Sequence, residues 1–483
     1  MISIHSVFPR LNFHKRSDPV PVFEQRFYLE GLAHASYLIG AEGEAAVIDP
    51  RRDVDEYLAV AQAGGMRIVA ILETHPHADF VSGHLELARR TGAKIYVSHL
   101  APAAYEHVPA RQGDRIRVGA LEIEVIETPG HSPDSLVYMV REIGRPATLF
   151  TGDTLFVGDV GRPDLRDAEE KPAALAEALY DSLFRKLLAL PPESRVLPAH
   201  GAGSLCGRNI SQAPSSTLGE ERRTNWALQL TDRAEFVKRM LASLPDRPQY
   251  FAHAVAVNLQ GARALDELEK PWLLPEADIA KHAREGAVVL DTRSSASFGR
   301  GHFPGGLNVS LDLALFSTWT GFFIQPGRKI ALVVEDEIDV PRACLELARI
   351  GYDTIIGYIE GRTLTASDPL PQVPATDYRE AWESGNAAPL LDVRTPGEWD
   401  AFHVEGSLHI PLPALPRRMK ELPKSEPLAV ICGAGNRSSI AASLLQADGF
   451  QLVQNIVGGV AAYREAERTA WHPADLVLPG EGI

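Results

Sequence analysis

At 483 residues and 52.6 kDa the chain has the length of about three domains. Apolar residues make up 45% and charged residues 23%, the balance of an ordinary folded protein. The formal net charge of −15, from 63 acidic against 48 basic side chains, comes with no basic patch and excludes nucleic acid as the main partner.

The three cysteines, Cys206, Cys344 and Cys432, are odd in number and far apart, which is no disulfide framework and fits a reducing compartment. No run approaches the roughly 18 apolar residues that span a bilayer, so no membrane association is expected. The first 20 residues lack the continuous apolar segment of a secretory signal. Arg10, Lys15 and Arg16, with no acid before Asp18, have the bias of a transit peptide. An ordinary flexible start is the simpler reading, and a cytoplasmic location is expected.

From about residue 21 short apolar runs alternate with helical stretches. Ala35–Ile39 and Ala45–Ile48 are predicted to pair as strands across a turn at Glu42-Gly43. Val54–Gln62 reads as a helix ended by Gly64-Gly65, and Arg67–Leu72 as a buried strand. His84–Arg90 reads as a helix stopped at Gly92, and Lys94–Val97 as the next strand. The helical pattern resumes from Glu220 to Leu244. This predicts an α/β layered domain over 21–271, with its chemistry on loops at strand ends.

After the strand Arg67–Leu72 comes Thr74-His75-Pro76-His77-Ala78-Asp79-Phe80. Alternating positions on extended backbone aim both imidazoles and the carboxylate to one side, and such donors suit zinc, iron or copper. A polar loop with two solvated histidines is the alternative. Three further strand ends set a His or Asp beside a glycine, where backbone bends close to an ion: Gly130-His131, Gly152-Asp153 and His200-Gly201.

In this order, His75-Pro76-His77-Ala78-Asp79, His131, Asp153 and His200 resemble the metal motifs of the metallo-β-lactamase superfamily, over about residues 21–265. The resemblance implies an αββα sandwich. Gly152–Phe156 and Asp159-Val160-Gly161-Arg162-Pro163-Asp164-Leu165 are similar to the persulfide dioxygenase branch. That branch implies one iron(II) per chain, held by two His and one Asp, at positions matched here by His75, His131 and Asp153. Dinuclear members end the first loop in another histidine. Phe80 stands there in this chain, so a second site keeps only Asp79 and His200 besides any bridging use of Asp153. Two His and one carboxylate make the facial triad of non-haem iron(II) oxygenases. His77, Asp79 and His200 are then expected beside the ligands or facing substrate. Cys206, six residues after His200, is either a structural thiol or one that receives or positions a persulfide. Arg162 is either an anion contact for the substrate's carrier or a structural arginine.

The remaining chain contains an internal repeat. Val289-Leu290-Asp291-Thr292-Arg293 matches Leu390-Leu391-Asp392-Val393-Arg394, and the segment at His302 matches that at His403, both at an offset of 101 (392 − 291, 403 − 302). Each copy has the size of one domain, and boundaries of 272–370 and 371–483 are expected. The D-x-R…H-x-x-G pattern resembles rhodanese domains, which implies two α/β units with parallel sheets.

In the second copy the buried strand Leu428–Ile431 leads into Cys432-Gly433-Ala434-Gly435-Asn436-Arg437 and then a helix from Ser438 to Leu445. A glycine-rich turn at a helix N-terminus aims N–H groups at the sulfur, and the helix end and Arg437 add positive charge. The cradle should favour a thiolate and hold a bound persulfide. A phosphatase loop is one residue longer and preceded by His rather than Ile431, so sulfur transfer is preferred. In the first copy Glu335 takes the cysteine position, followed by Asp336, Glu337 and Asp339. That unit is expected to be a catalytically dead spacer or docking module, with Cys344 in its core.

Together these resemblances imply a persulfide dioxygenase–rhodanese fusion. A small-molecule persulfide would be oxidised with O2 to sulfite and thiol, and Cys432 would exchange sulfane sulfur between sulfite and thiosulfate. Two alternatives stand: a zinc thioester hydrolase like glyoxalase II, or a sulfur carrier with a non-catalytic metal domain. The thiol carrier is open among glutathione, coenzyme A, cysteine, bacillithiol and hydrogen polysulfide. A homo-oligomer is compatible with the sequence.

Overall fold

The computed structural model describes residues 22–142, 144–166, 171–242, 244–365 and 367–469. The segment with Arg10, Lys15 and Arg16, and the end of the last predicted domain, lie outside them.

The first part of the chain builds two sheets, each of six strands among the described residues. One runs Phe23–Leu29, His34–Ala41, Glu44–Ile48, Arg67–Leu72, Lys94–Ser98, Val108–Ala110. The other runs Ser216–Thr217, Arg195–Pro198, Thr148–Gly152, Leu136–Val140, Leu121–Glu127, Arg115–Val118. Tyr37, Ile39 and Leu72 of the first meet Ile123, Val125, Tyr138 and Phe150 of the second in one buried cluster. The helices Asp55–Ala63 and His84–Thr91 cover the outer face of the first sheet through Tyr57 and Leu87. Pro172–Asp181 and Arg233–Leu241 cover the second through Leu179 and Phe236. Burial on both faces explains why strands such as Arg67–Leu72 read as nearly unbroken apolar runs. The result is a four-layered α/β/β/α sandwich.

The hairpin expected at Glu42-Gly43 forms: Ala41 pairs with Glu44, and φ of +50° and +80° at the two turn residues suits the strand twist. The helical pattern predicted from Glu220 to Leu244 is instead two helices, Leu218–Thr224 and Arg233–Leu241. Asn225 leaves the helical backbone, and Asp232 caps the second helix by accepting the Glu235 N–H.

Two parallel sheets follow. The first has the order Leu307–Asn308, Val288–Asp291, Ile330–Val334, Ile355–Glu360. The second has Leu408–His409, Leu390–Asp392, Leu428–Ile431, Val453–Val457, with Gln372–Pro374 added at the edge. Repeat-related strands thus occupy the same places in both sheets. Ile330–Val334 and Leu428–Ile431 are internal and wholly buried, so each delivers the residue after it, Glu335 or Cys432, to the same end of its sheet. Among the described residues no helix is long and apolar enough to cross a membrane.

Candidate functional site

The loop Thr74–Phe80 has no regular structure yet is buried throughout, so its backbone polar groups need partners inside the protein. The helix Tyr250–Gln260 supplies them. Asn258 Nδ2 donates to the carbonyls of His77 and Phe80, its Oδ1 accepts the Ser82 N–H, and the Tyr250 hydroxyl donates to the Asp79 carbonyl. From the opposite sheet the Leu136 N–H donates to the Thr74 carbonyl.

Held this way, His75 meets His131 and Asp153, which arrive on loops of the second sheet. His75 Nε2 lies 3.7 Å and His131 Nε2 3.4 Å from Asp153 Oδ2. All three are buried, and neither oxygen of Asp153 has a hydrogen-bond partner among the described residues. An orphaned buried carboxylate facing two imidazoles fits a cation, and these donors suit a first-row divalent metal. Burial and the neighbouring imidazoles His77, His131 and His200 push the His75 pKa well down, favouring the neutral, ligating form. Its far nitrogen, Nδ1, is 3.0 Å from the Thr74 hydroxyl, which in turn donates to Asp49 Oδ2. That chain orients the ring. Gly161 makes the close packing possible, since a Cβ there would come within 2.0 Å of the Asp153 carbonyl oxygen and 2.9 Å of His131.

His200, Asp79 and Cys206 sit on the other side of Asp153. His200 Nε2 is 3.3 Å from Asp79 Oδ2 and 3.5 Å from Asp153 Oδ1, while His200 Nδ1 lies 3.2 Å from the Ala33 carbonyl. Cys206 brings its sulfur within 4.8 Å of ligand atoms of both Asp153 and His200. Burial, with Asp79 and Asp153 close by, pushes that thiol's pKa well up. The His77 ring lies beside His75, with centroids 4.2 Å apart, and one of its ligand atoms is within 4.8 Å of those of Asp79 and His200. His77 Nε2 is 3.1 Å from Asp49 Oδ1 and 3.9 Å from Glu73 Oε2. Burial alone would depress His77, but the two carboxylates prevail and lift it to about 9. Phe80 is buried against it, with ring centroids 4.3 Å apart, and 4.0 Å from the His34 ring on the other side.

The second cluster is at Cys432. Its Sγ accepts the Gly435 N–H at 3.1 Å and the Ser438 hydroxyl at 3.3 Å. Gly435 has φ +101° at the start of the helix Asn436–Ala447, a conformation that bends the loop so this N–H faces sulfur. The carbonyls of Cys432 and Gly433 are turned away from sulfur, accepting from Val460 and Ala461 at the N-terminus of the helix Gly459–Thr469. The sulfur therefore sees donors.

Three comparisons follow from these geometries. Over 269 residues the chain is 32% identical to a probable metallo-hydrolase of Burkholderia pseudomallei (strain 1710b), 47% of this chain and 89% of that one. It is 30% identical over 256 residues to the mitochondrial persulfide dioxygenase ETHE1 of Bos taurus, 52% of this chain and 92% of that one. A crystal structure of a metallo-β-lactamase from Staphylococcus aureus subsp. aureus COL superposes with a TM-score of 0.63 at 31% identity, covering 70% of this chain and 98% of that one. The chain belongs to the metallo-β-lactamase superfamily. The model of that superfamily matches residues 29–200, and a rhodanese-like domain model matches residues 374–466, the copy that holds Cys432.

Within the metallo-β-lactamase domain two residues that the sequence left open find their places. Arg162 is buried. Its guanidinium donates to Asp164 and to the carbonyls of Leu205 and Pro245, so it anchors the loop that carries Cys206. Cys206, which sequence order alone left unplaced, belongs to the metal pocket. In the rhodanese domain Arg437 does not donate to the sulfur. Both of its terminal nitrogens bind Glu398, at 2.8 and 2.6 Å, and this pair, against the effect of burial, holds the Glu398 carboxyl down at about 2. The positive charge expected at the thiol is thus shared with a carboxylate. Cys344 is half-buried against the core, and burial raises its thiol to about 11.

Sequence reasoning missed Asp49, Glu73, His34, Glu398 and Ser438. Asp49 had a signal: it directly follows the strand Glu44–Ile48, as the metal-facing residues follow theirs. Glu398 had none, because nothing local in Thr395–Glu398 beyond its capping box tells of a partner 39 residues on.

Proposed function

We propose that the chain is a persulfide dioxygenase joined to a thiosulfate sulfurtransferase, acting in sulfide detoxification. His75, His131 and Asp153 would hold one iron(II) ion. When bound, such an ion supplies open coordination positions and the redox chemistry that dioxygen requires. The single observation that carries this reading is the buried trio of two imidazoles and one orphaned carboxylate beside Phe80, which fills the place of a further imidazole. The 30% identity to a persulfide dioxygenase supports it. His77, tied to Asp49 and Glu73, stands outside the ligand set.

The rhodanese domain would use the first reaction's product. Cys432 attacks the sulfane sulfur of a donor such as thiosulfate, the S–S bond breaks, and sulfite leaves with the bonding electrons. The resulting Cys432 persulfide is held by the Gly435 N–H and Ser438 hydroxyl. The reverse transfer, from Cys432 persulfide to sulfite, yields thiosulfate. The acidic loop at Glu335 cannot serve these anions, and the middle unit is non-catalytic in this reading.

The test is oxygen-electrode measurement across several low-molecular-weight persulfides after anaerobic iron reconstitution. Cys432→Ser is expected to spare persulfide-dependent oxygen uptake while abolishing thiosulfate exchange, and His131→Ala to do the opposite. Thioester hydrolysis with bound zinc and no oxygen uptake would replace this reading by the hydrolase one, which the similarity to a probable metallo-hydrolase keeps in view.

A further inference from the structure

The helix Asn436–Ala447, which opens at the Cys432 loop, has almost no exposed face along its middle: Ser438 through Ser443 are all buried. A helix buried all round must be covered on more than one side. Its own sheet covers one side. The other is covered by the middle unit, which has Glu335 in place of the loop cysteine and whose short strand Leu307–Asn308 lies against the helix, with Leu307 in the same apolar cluster as Ile440, Ala441 and Ala442.

Three buried polar groups sit in that contact. The Ser439 hydroxyl donates to Asn308 Oδ1 at 2.6 Å, and the Asn308 N–H donates to the Ser443 hydroxyl at 3.1 Å. Asn308 Nδ2 donates to the carbonyls of Asp291 and Arg293, at 3.1 and 3.0 Å. All four bonds are shielded from water, where an unpaired group is costly. The repeat gives the contact meaning. The residue 101 positions after Asn308 is His409, whose Nε2 is 2.9 Å from the Arg394 carbonyl. Both copies therefore brace the same carbonyl. Asn308 carries an acceptor in addition to its donors and extends the brace across the domain boundary.

We infer that Asn308 is a positioning residue for the thiol site, through which the middle unit sets the seating of the catalytic helix. Adjacent helix residues project about 100° apart. Ser439 locked on Asn308 therefore fixes the direction of Ser438, whose hydroxyl reaches Cys432 Sγ. The middle unit lacks a nucleophile and still shapes the reactivity of one. This inference rests on Cys432 being the nucleophile of the rhodanese domain.

The experiment follows alkylation of Cys432 by iodoacetamide in the iron-loaded full-length protein against pH, quantified on the Cys432 peptide by mass spectrometry. An unchanged circular dichroism spectrum and urea midpoint report that each variant is folded. Ser439→Ala and Asn308→Ala are each expected to slow alkylation at neutral pH about tenfold and to move the midpoint of its pH profile upward. Because both remove one shared bond, the double variant should be no slower than the slower single one. Rates within twofold of wild type and an unmoved midpoint, in folded variants, would overturn the inference. So would effects that multiply in the double variant without moving the midpoint, which would make Asn308 a packing residue. A wild-type Cys432 that alkylates no faster than free cysteine would remove the nucleophile reading itself, and the brace with it.

Discussion

Phe80 decides more than its chemistry suggests. Its ring has no ligating atom, yet it lies between His34 and His77 and takes the sequence position after Asp79 where a second site would draw on another imidazole. Phe80→His is therefore expected to raise metal bound per chain above that of the wild type after anaerobic reconstitution, read by elemental analysis. Unchanged stoichiometry would remove Phe80 as the reason for a single ion. At this scale the sequence is legible where a residue's partner is set by a strand end. His75, His131 and Asp153 come together because each follows a buried strand or its flanking loop. It is illegible where a side chain spends its capacity on distant backbone. Arg162 stayed open between an anion contact and a structural arginine because its acceptors at Leu205 and Pro245 lie 43 and 83 residues away.

Elements were read more securely than contacts. The strands Arg67–Leu72 and Leu428–Ile431 have their expected limits because burial on both faces leaves an unbroken apolar run. The repeat is visible at atomic detail: Arg293 and Arg394 each clamp their own aspartate and donate to the carbonyl of Gly301 or Phe402. The stacks Phe298–His302 and Trp399–His403, with centroids 3.7 and 4.0 Å apart, repeat as well. Hidden from the sequence was the support of the metal loop by the helix Tyr250–Gln260, because Asn258 on an apolar helix carries no local signature. Asn258→Ala would leave the His77 and Phe80 carbonyls and the Ser82 N–H without this partner. It is expected to cost about 3 kcal/mol of stability by urea denaturation and to lower metal occupancy. A loss below about 0.5 kcal/mol would mean that water or rearrangement satisfies the loop.

Across the whole molecule the middle unit touches both functional parts. Arg52, buried in the first domain, donates to Asp353 and to the Ala348 carbonyl, and Arg349 reaches back to Asp53. On its other side lies the Asn308–Ser439 bond. One apolar cluster continues from Phe80 and Tyr250 through Leu332 to Val430 and Cys432. Such continuity predicts coupled unfolding, with intrinsic fluorescence, loss of oxygen uptake and exposure of Cys432 to alkylation sharing one urea midpoint. Separate midpoints would show that the parts melt independently. Neither bridge could be read from the sequence, since periodicity and motif spacing describe a chain's neighbours and not its folded partners.

The Val81 N–H, one residue past Phe80, donates at 2.7 Å to the carbonyl of Arg349, at the end of the middle unit's helix Val340–Arg349. That bond ties the inheritance of the two parts together. A lineage that lost the middle unit would leave a buried amide beside the metal loop unanswered. Residues of the middle unit that carry no chemistry are then constrained by the neighbours that do, and their drift should be slowest along this seam.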